Sequence, residues 1–224
     1  MEFNEITKMI AVFAVPVIFA ITLHEAAHGY VARYFGDTTA FKLGRISLNP
    51  ARHIDLVGTI VLPVVTLFAT SGRIMFGWAK PVPVNFHALR RPKRDMLWVA
   101  LAGPAANLAM ALAWAAALKV GALSGLGQRD FLIQVPLAGV EVNLVFMALN
   151  LLPILPLDGG RVVVSLLPAP LAGSFARLEP FGLPILLGLV VISSYGYNVL
   201  GMFLDPVMGA SRSVIATLFQ LHPI

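Results

Sequence analysis

The sequence predicts an all-α integral membrane protein: a polytopic helical bundle of about four full spans, a short re-entrant or interfacial segment, and short β-strands at the cytoplasmic side. Three observations predict it. Of the 224 residues, 58% are hydrophobic and only 12% charged, far from the balance of a soluble domain. Apolar stretches long enough to cross a bilayer recur along the chain. The basic residues collect between those stretches rather than inside them.

The first stretch, Met9–Ala32, would be about 36 Å long as a helix at roughly 1.5 Å per residue, enough for a hydrocarbon core of about 30 Å. The preceding Met1-Glu2-Phe3-Asn4-Glu5 has neither the basic start nor the small-residue cleavage site of a removable signal peptide, so the stretch is expected to be retained. Leu97–Leu118 contains no charged residue, Phe131–Pro156 only Glu141, and Pro180–Leu204 none; these are the other full spans. The glycines and proline of the last one, Gly182, Pro184, Gly188 and Gly196, are assigned to helix packing, with a mobile gate as the alternative. Leu56–Thr70 reaches only about 22 Å and contains Pro63, which makes it re-entrant or interfacial. Its flanks are basic, with four Lys or Arg in Arg33–Asp55 and six in Ser71–Asp95, and both therefore belong in the cytoplasm. Within them Phe41–Leu48 and Lys80–Asn85 read as extended, the second because Pro81 and Pro83 exclude a helix interior. Val214, Ile215, Leu218 and Phe219 recur at helical spacing near the end of the chain, which suits a helix lying on a surface. The spans follow one another so closely that residues 1–224 are expected to form a single membrane-embedded domain.

The formal net charge is +5, from 16 Lys and Arg against 11 Asp and Glu. Because the excess sits in the inter-span segments, it reports orientation and does not call for nucleic acid. The chain has no cysteine, so any metal must be held by nitrogen and oxygen.

One span is not purely lipid-like. After Leu23 come His24-Glu25-Ala26-Ala27-His28. Histidines four apart on a helix project from one face a turn apart, the spacing two ligands of one zinc ion require, and the intervening Glu25 can serve as general base toward zinc-bound water. A pair of core histidines would also fit the bare pattern. Ionisable groups inside an apolar span, however, cost roughly 2.5–3.5 kcal/mol each for the charged types and usually have a function. A catalytic zinc takes three protein ligands and leaves a position for water. His53 and His87 lie in the basic segments and His222 near the end of the chain, where solvated or capping roles suit them. Asp158 is the better third ligand. It follows Asn150-Leu151-Leu152-Pro153-Ile154-Leu155-Pro156-Leu157, in which two prolines break the helix, and precedes Gly159 and Gly160, which permit close backbone approach. Irregular backbone at membrane depth is tolerated where it is buried in protein or lines a wet cavity. Topology agrees: only if Leu56–Thr70 does not cross does Asp158 return to the side of the membrane where His28 lies.

These residues resemble the site-2 protease family of intramembrane zinc metalloproteases. The resemblance rests on His24-Glu25-Ala26-Ala27-His28, on Gly103-Pro104-Ala105-Ala106-Asn107 and on the Asn150-x-x-Pro153 stretch leading to Asp158-Gly159, and covers roughly Phe19–Leu167. It implies a three-helix catalytic core, a Zn2+ cofactor on two His and one Asp, and regulated intramembrane proteolysis of transmembrane substrates such as anti-sigma factors or membrane-tethered transcription factors. It also implies that Asn150 faces the substrate or the developing oxyanion, with Asn107 in the same cavity. The chain is similar to the compact branch that lacks PDZ and CBS domains and carries Phe76-Gly77-Trp78-Ala79-Lys80-Pro81-Val82-Pro83-Val84-Asn85. Pro81–Asn85 is expected to be either an edge on which an unwound substrate pairs or a rigid cytoplasmic loop. The expected partners are a transmembrane protein substrate and the bilayer, in a multi-pass cell-membrane protein whose site opens toward the cytoplasm; self-association stays open. Two other classes compete. A transporter or proton pathway would scatter its charges through several spans, and here only Glu141 lies outside the motif without a role. A catalytically silent scaffold would be expected to have lost Glu25.

Overall fold

The computed structural model describes residues 3–61, 65, 77 and 79–221. Its long helices are α1 (Phe3–Tyr34), α3 (Pro92–Leu123), α4 (Phe131–Asn150) and α8 (Val199–Phe219); the shorter ones are α2 (Thr39–Lys42), α5 (Asp158–Leu166), α6 (Ala169–Ala176) and α7 (Glu179–Ile192). Four helices, Thr7–Tyr34 within α1 together with α3, α4 and α8, are long and apolar enough to cross a membrane, and α6 and α7 form an apolar pair bent by 61°. This is a multi-pass helical membrane protein.

α1, α3 and α4 pack against one another, α5 rests on α3, and α8 lies against α3 and α4. One core joins Ala111 and Ala115 of α3, Val140, Leu144, Met147 and Ala148 of α4, and Met208 and Ile215 of α8. The alanines, one turn apart and fully buried, let the helix backbones approach, the usual basis of packing where lipid is as apolar as the side chains. Gly139 does the same for the Trp114 ring, since a Cβ there would meet it at 2.4 Å. A second core of Ala32, Leu89, Met96 and Val99 closes the end of the bundle where α1 stops and α3 begins.

Several expectations are corrected. No strand occurs among the described residues. Phe41 and Lys42 complete α2, and Lys80–Asn85 is extended but forms no ladder. The Lys80 N–H donates to the His53 carbonyl, the Val82 N–H to Glu25 Oε2 at 2.7 Å and the Asn85 N–H to Asp37 Oδ2 at 2.7 Å, while Pro81 and Pro83 have none to give. These three donors anchor the segment. The span expected at Pro180–Leu204 is divided: α7 ends at Ile192, the chain turns through Gly196 with φ +98°, and the crossing-length helix is α8. The C-terminal helical stretch therefore does not lie on a surface, for Ile215 is 1% exposed in the bundle core while Val214 and Leu218 face outward. The span expected to run to Pro156 stops at Asn150. Leu56–Val61 forms a single wide helical turn; the remainder of Leu56–Thr70 lies, Val65 apart, outside the described residues, as do Phe76, Trp78 and His222. His53 is not solvated but buried, with Nε2 at 2.8 Å from the Ser47 carbonyl, whereas His87 is exposed.

Glu141, without a role in the sequence, is paired. Arg212 of α8 grips it with two nitrogens, Nε donating to Oε1 at 2.9 Å. Both charges sit in crossing-length helices, where a lone charge would be costly. Removing either partner should destabilise the fold by about 1–3 kcal/mol, and the double substitution Glu141→Gln with Arg212→Met by less than either single change. Thermal unfolding of the four proteins in one detergent measures this.

Candidate metal centre

The periodicity of α1 delivers His24 and His28 to one face, with their Nε2 atoms 3.1 Å apart. Both are buried, at 6% and 8% exposure. Asp158 opens α5, where the positive end of the helix favours its carboxylate, and its Oδ2 lies 3.3 Å from each Nε2. The structure thus brings together all three residues expected as ligands, in one group of metal-binding dimensions.

Close backbone approach makes this possible. A Cβ on Gly103 of α3 would come within 2.4 Å of His28 Nε2 and 2.5 Å of His24 Cε1, so the helix passes directly against the imidazoles. After α4 the chain folds into a tight turn at Leu151–Leu157, with Leu152 and Leu155 buried. Gly159 and Gly160 press back on that turn, where Cβ atoms would meet the Leu151 and Leu152 carbonyls at 2.3 Å and the Leu155 nitrogen at 2.5 Å. Asp158 is held from both sides.

The arrangement of protons fits a cation. His28 Nδ1 is 2.7 Å from the Val99 carbonyl, which can only accept, so Nδ1 carries the hydrogen and Nε2 of the neutral ring a lone pair. His24 Nδ1 faces Asn107 Oδ1 at 2.6 Å, with the same consequence. Asp158 Oδ2 is buried without a hydrogen-bond partner, as it would be if both Nε2 atoms carry lone pairs. Three lone-pair atoms face one another, and a shared cation turns their repulsion into binding. Two imidazoles and a carboxylate form a donor set of catalytic zinc.

A cavity of about 380 Å³ opens beside the cluster, lined by Glu25, Val82, Asn150, Asp158, Arg161 and Glu179 among others. Glu25 is anchored on its wall by the Val82 amide. Asn150 lines it and gives one amide hydrogen to the Phe146 carbonyl at 3.0 Å. Asn107 does not share the cavity: it is fully buried behind His24. Sequence reasoning passed over Asn143, Arg161 and Glu179. Asn143 hydrogen-bonds Asn107, and a polar residue inside an apolar span was the available signal. Arg161 and Glu179 form an ion pair at the cavity, a meeting of α5 and α7 that no spacing announces.

Fold and site together define a polytopic membrane protein with a His–His–Asp cluster of metal-ligand geometry and a glutamate anchored beside it. The chain is 35% identical over 214 residues to "Putative zinc metalloprotease YwhC" of Bacillus subtilis, covering 92% of this chain and 90% of that protein. It is 32% identical over 174 residues to "Putative zinc metalloprotease Rip2" of Mycobacterium tuberculosis, covering 76% of this chain and 62% of that protein. Rip2 of Mycolicibacterium smegmatis is 29% identical over 215 residues, or 91% and 76% of the two chains. No family model and no solved structure matches the chain. The chain belongs to the site-2 protease family of zinc metalloproteases.

Gly103→Ala tests the packing of the cluster. The added methyl group must push the imidazoles or α3 aside, so zinc affinity should fall by at least about tenfold with helix content by circular dichroism unchanged. Competition with a chromophoric chelator measures the affinity.

Proposed function

We propose that this chain is a zinc-dependent endopeptidase that cuts peptide bonds within or beside the transmembrane segments of other membrane proteins, in the manner of regulated intramembrane proteolysis. The observation that carries the reading is the convergence of His24 Nε2, His28 Nε2 and the unpartnered Asp158 Oδ2 on one point at the edge of a cavity that also holds Glu25. In this reading His24, His28 and Asp158 hold the metal. When bound there, zinc would supply Lewis acidity and would lower the pKa of water at the site toward about 7. Glu25 takes the proton of the attacking water and delivers it to the leaving amine. The Val82 amide donates to Glu25 Oε2 at 2.7 Å and keeps the carboxylate on the cavity wall. Asn150 has a second amide hydrogen beyond the one given to Phe146, and turned into the cavity it steadies the developing oxyanion.

A helical substrate has its carbonyls engaged in its own hydrogen bonds. It must unwind locally to enter the cavity, which favours substrates carrying helix-weakening residues near the cut. The basic segments around α2 and before α3 favour a cytoplasmic orientation for this end of the bundle in a cell-membrane protein, with the bilayer and a transmembrane substrate, not nucleic acid, as the proposed partners. The transporter reading is disfavoured by Glu141, which is spent on Arg212 rather than strung along a pathway.

Two substitutions test the proposal on purified protein in bilayers. Glu25→Gln should keep about one zinc per chain and lose cleavage of a model transmembrane substrate by a factor on the order of 10²–10⁴. Asp158→Ala should lose both zinc, by elemental analysis, and cleavage; full zinc retention there rules out the ligand assignment, and full activity of Glu25→Gln rules out the base.

A further inference from the structure

We propose that Asn143 is a positioning residue: through Asn107 it fixes which nitrogen of His24 carries the hydrogen and so holds Nε2 ready as a metal ligand. The proposal rests on the zinc-peptidase reading. Four groups from three helices form one chain of hydrogen bonds, and a backbone carbonyl dictates its direction. The Gly139 carbonyl can only accept, and Asn143 Nδ2 donates to it at 2.8 Å. That turns Asn143 Oδ1 toward Asn107, whose Nδ2 donates to it at 3.0 Å. The other neighbour of that amide, the Ala20 carbonyl at 3.4 Å, is also purely an acceptor. Asn107 Oδ1 is thereby left facing His24 Nδ1 at 2.6 Å, and an acceptor there demands that Nδ1 be the protonated nitrogen. The lone pair must then be on Nε2.

Both asparagines are 0% exposed, so water cannot substitute for either partner. A carboxamide is ambiguous by itself, since turning it over exchanges donor for acceptor. Had Asn107 turned over, it would offer a hydrogen to Nδ1 and drive the ring hydrogen to Nε2, against the metal. Asn143, the nearer of the two acceptors at 3.0 Å against 3.4 Å for the Ala20 carbonyl, is the main obstacle to it. His28 needs no such device, because the Val99 carbonyl orients it directly. The two imidazoles are thus set by different means, and only that of His24 depends on side chains remote from the cavity. Partners behind a ligating histidine typically change metal affinity or activity by 10–100-fold.

Asn143→Leu, close in volume, withdraws the acceptor from Asn107. Zinc should then dissociate into excess chelator about 10–100-fold faster than from the unmodified protein, and the visible absorption of the cobalt-substituted protein should change. Asn143→Ser is the second variant should the first not accumulate: its hydroxyl still serves the Gly139 carbonyl but falls short of Asn107, so zinc loss should accelerate likewise. A rescue separates positioning from bulk stability. In Asn107→Asp the carboxylate can only accept and pins the His24 hydrogen without help, so adding Asn143→Leu to that background should accelerate zinc loss by less than about threefold, below the roughly 10–100-fold range that marks a lost partner. Unchanged zinc dissociation in both Asn143 variants overturns the proposal, as does a loss that Asn107→Asp does not relieve. Absence of zinc from the unmodified protein overturns the peptidase reading and this proposal together, whereas normal zinc and cleavage with inert Asn143 variants overturn this proposal alone.

Discussion

Three lone-pair atoms pointing at one another inside an apolar helical bundle form the constraint around which this protein is arranged. In a medium of low dielectric their mutual repulsion is poorly screened, and each needs a fixed proton state and a fixed position. The helix period of α1 places two of them, and the N-terminus of α5 the third. Where helix backbone presses on the cluster or on the turn that holds it, the side chain is missing. Gly103 removes the side chain that would strike both imidazoles, and Gly159 and Gly160 let α5 sit on the turn from which it springs. A larger residue at any of these positions would act first on the metal site and only then on the fold.

The remaining polar groups inside the spans follow the same economy, each matched at short range. Glu141 meets Arg212, Asn143 meets Asn107 and its own helix backbone, and His28 meets Val99. No string of ionisable groups runs across the bundle among the described residues. The extended Lys80–Asn85 segment uses its amides on His53, Glu25 and Asp37. Little of its donor capacity remains for pairing with a substrate strand, which favours a fixed wall over an edge for strand addition.

What could be read from the sequence followed physical range. His24 and His28 were legible because their relation is local, set by one helical turn. Asp158 was legible because prolines and glycines announce irregular backbone. Three long helices were legible from apolar length alone. The errors came where length and composition are silent about direction. Pro180–Leu204 is apolar throughout, and only the turn at Gly196 splits it; the final segment carries enough polar residues to imitate a surface helix, although Arg212 is there to meet Glu141. Pro81 and Pro83 were correctly read as excluding helix, but extended backbone becomes a strand only when a neighbour accepts its hydrogen bonds. Asn143 was missed because its effect on His24 passes through a second asparagine on another helix.

The same close packing bears on how a substrate could be admitted. Of the four residues in Pro180–Leu204 assigned to packing, Gly182 has the tightest contact, since a Cβ there would lie 1.4 Å from the Leu155 carbonyl, while Gly188 and Gly196 have nothing within 4 Å. The first turn of α7 is therefore locked to the Leu151–Leu157 turn, and Glu179 binds it again to Arg161, three residues after Asp158. Moving that turn would drag Asp158 away from the histidines. Gly188 in the far half of α7 and Gly196 in the turn that follows it are under no such constraint, whereas the contacts that hold Asp158 in place run through the first turn of α7.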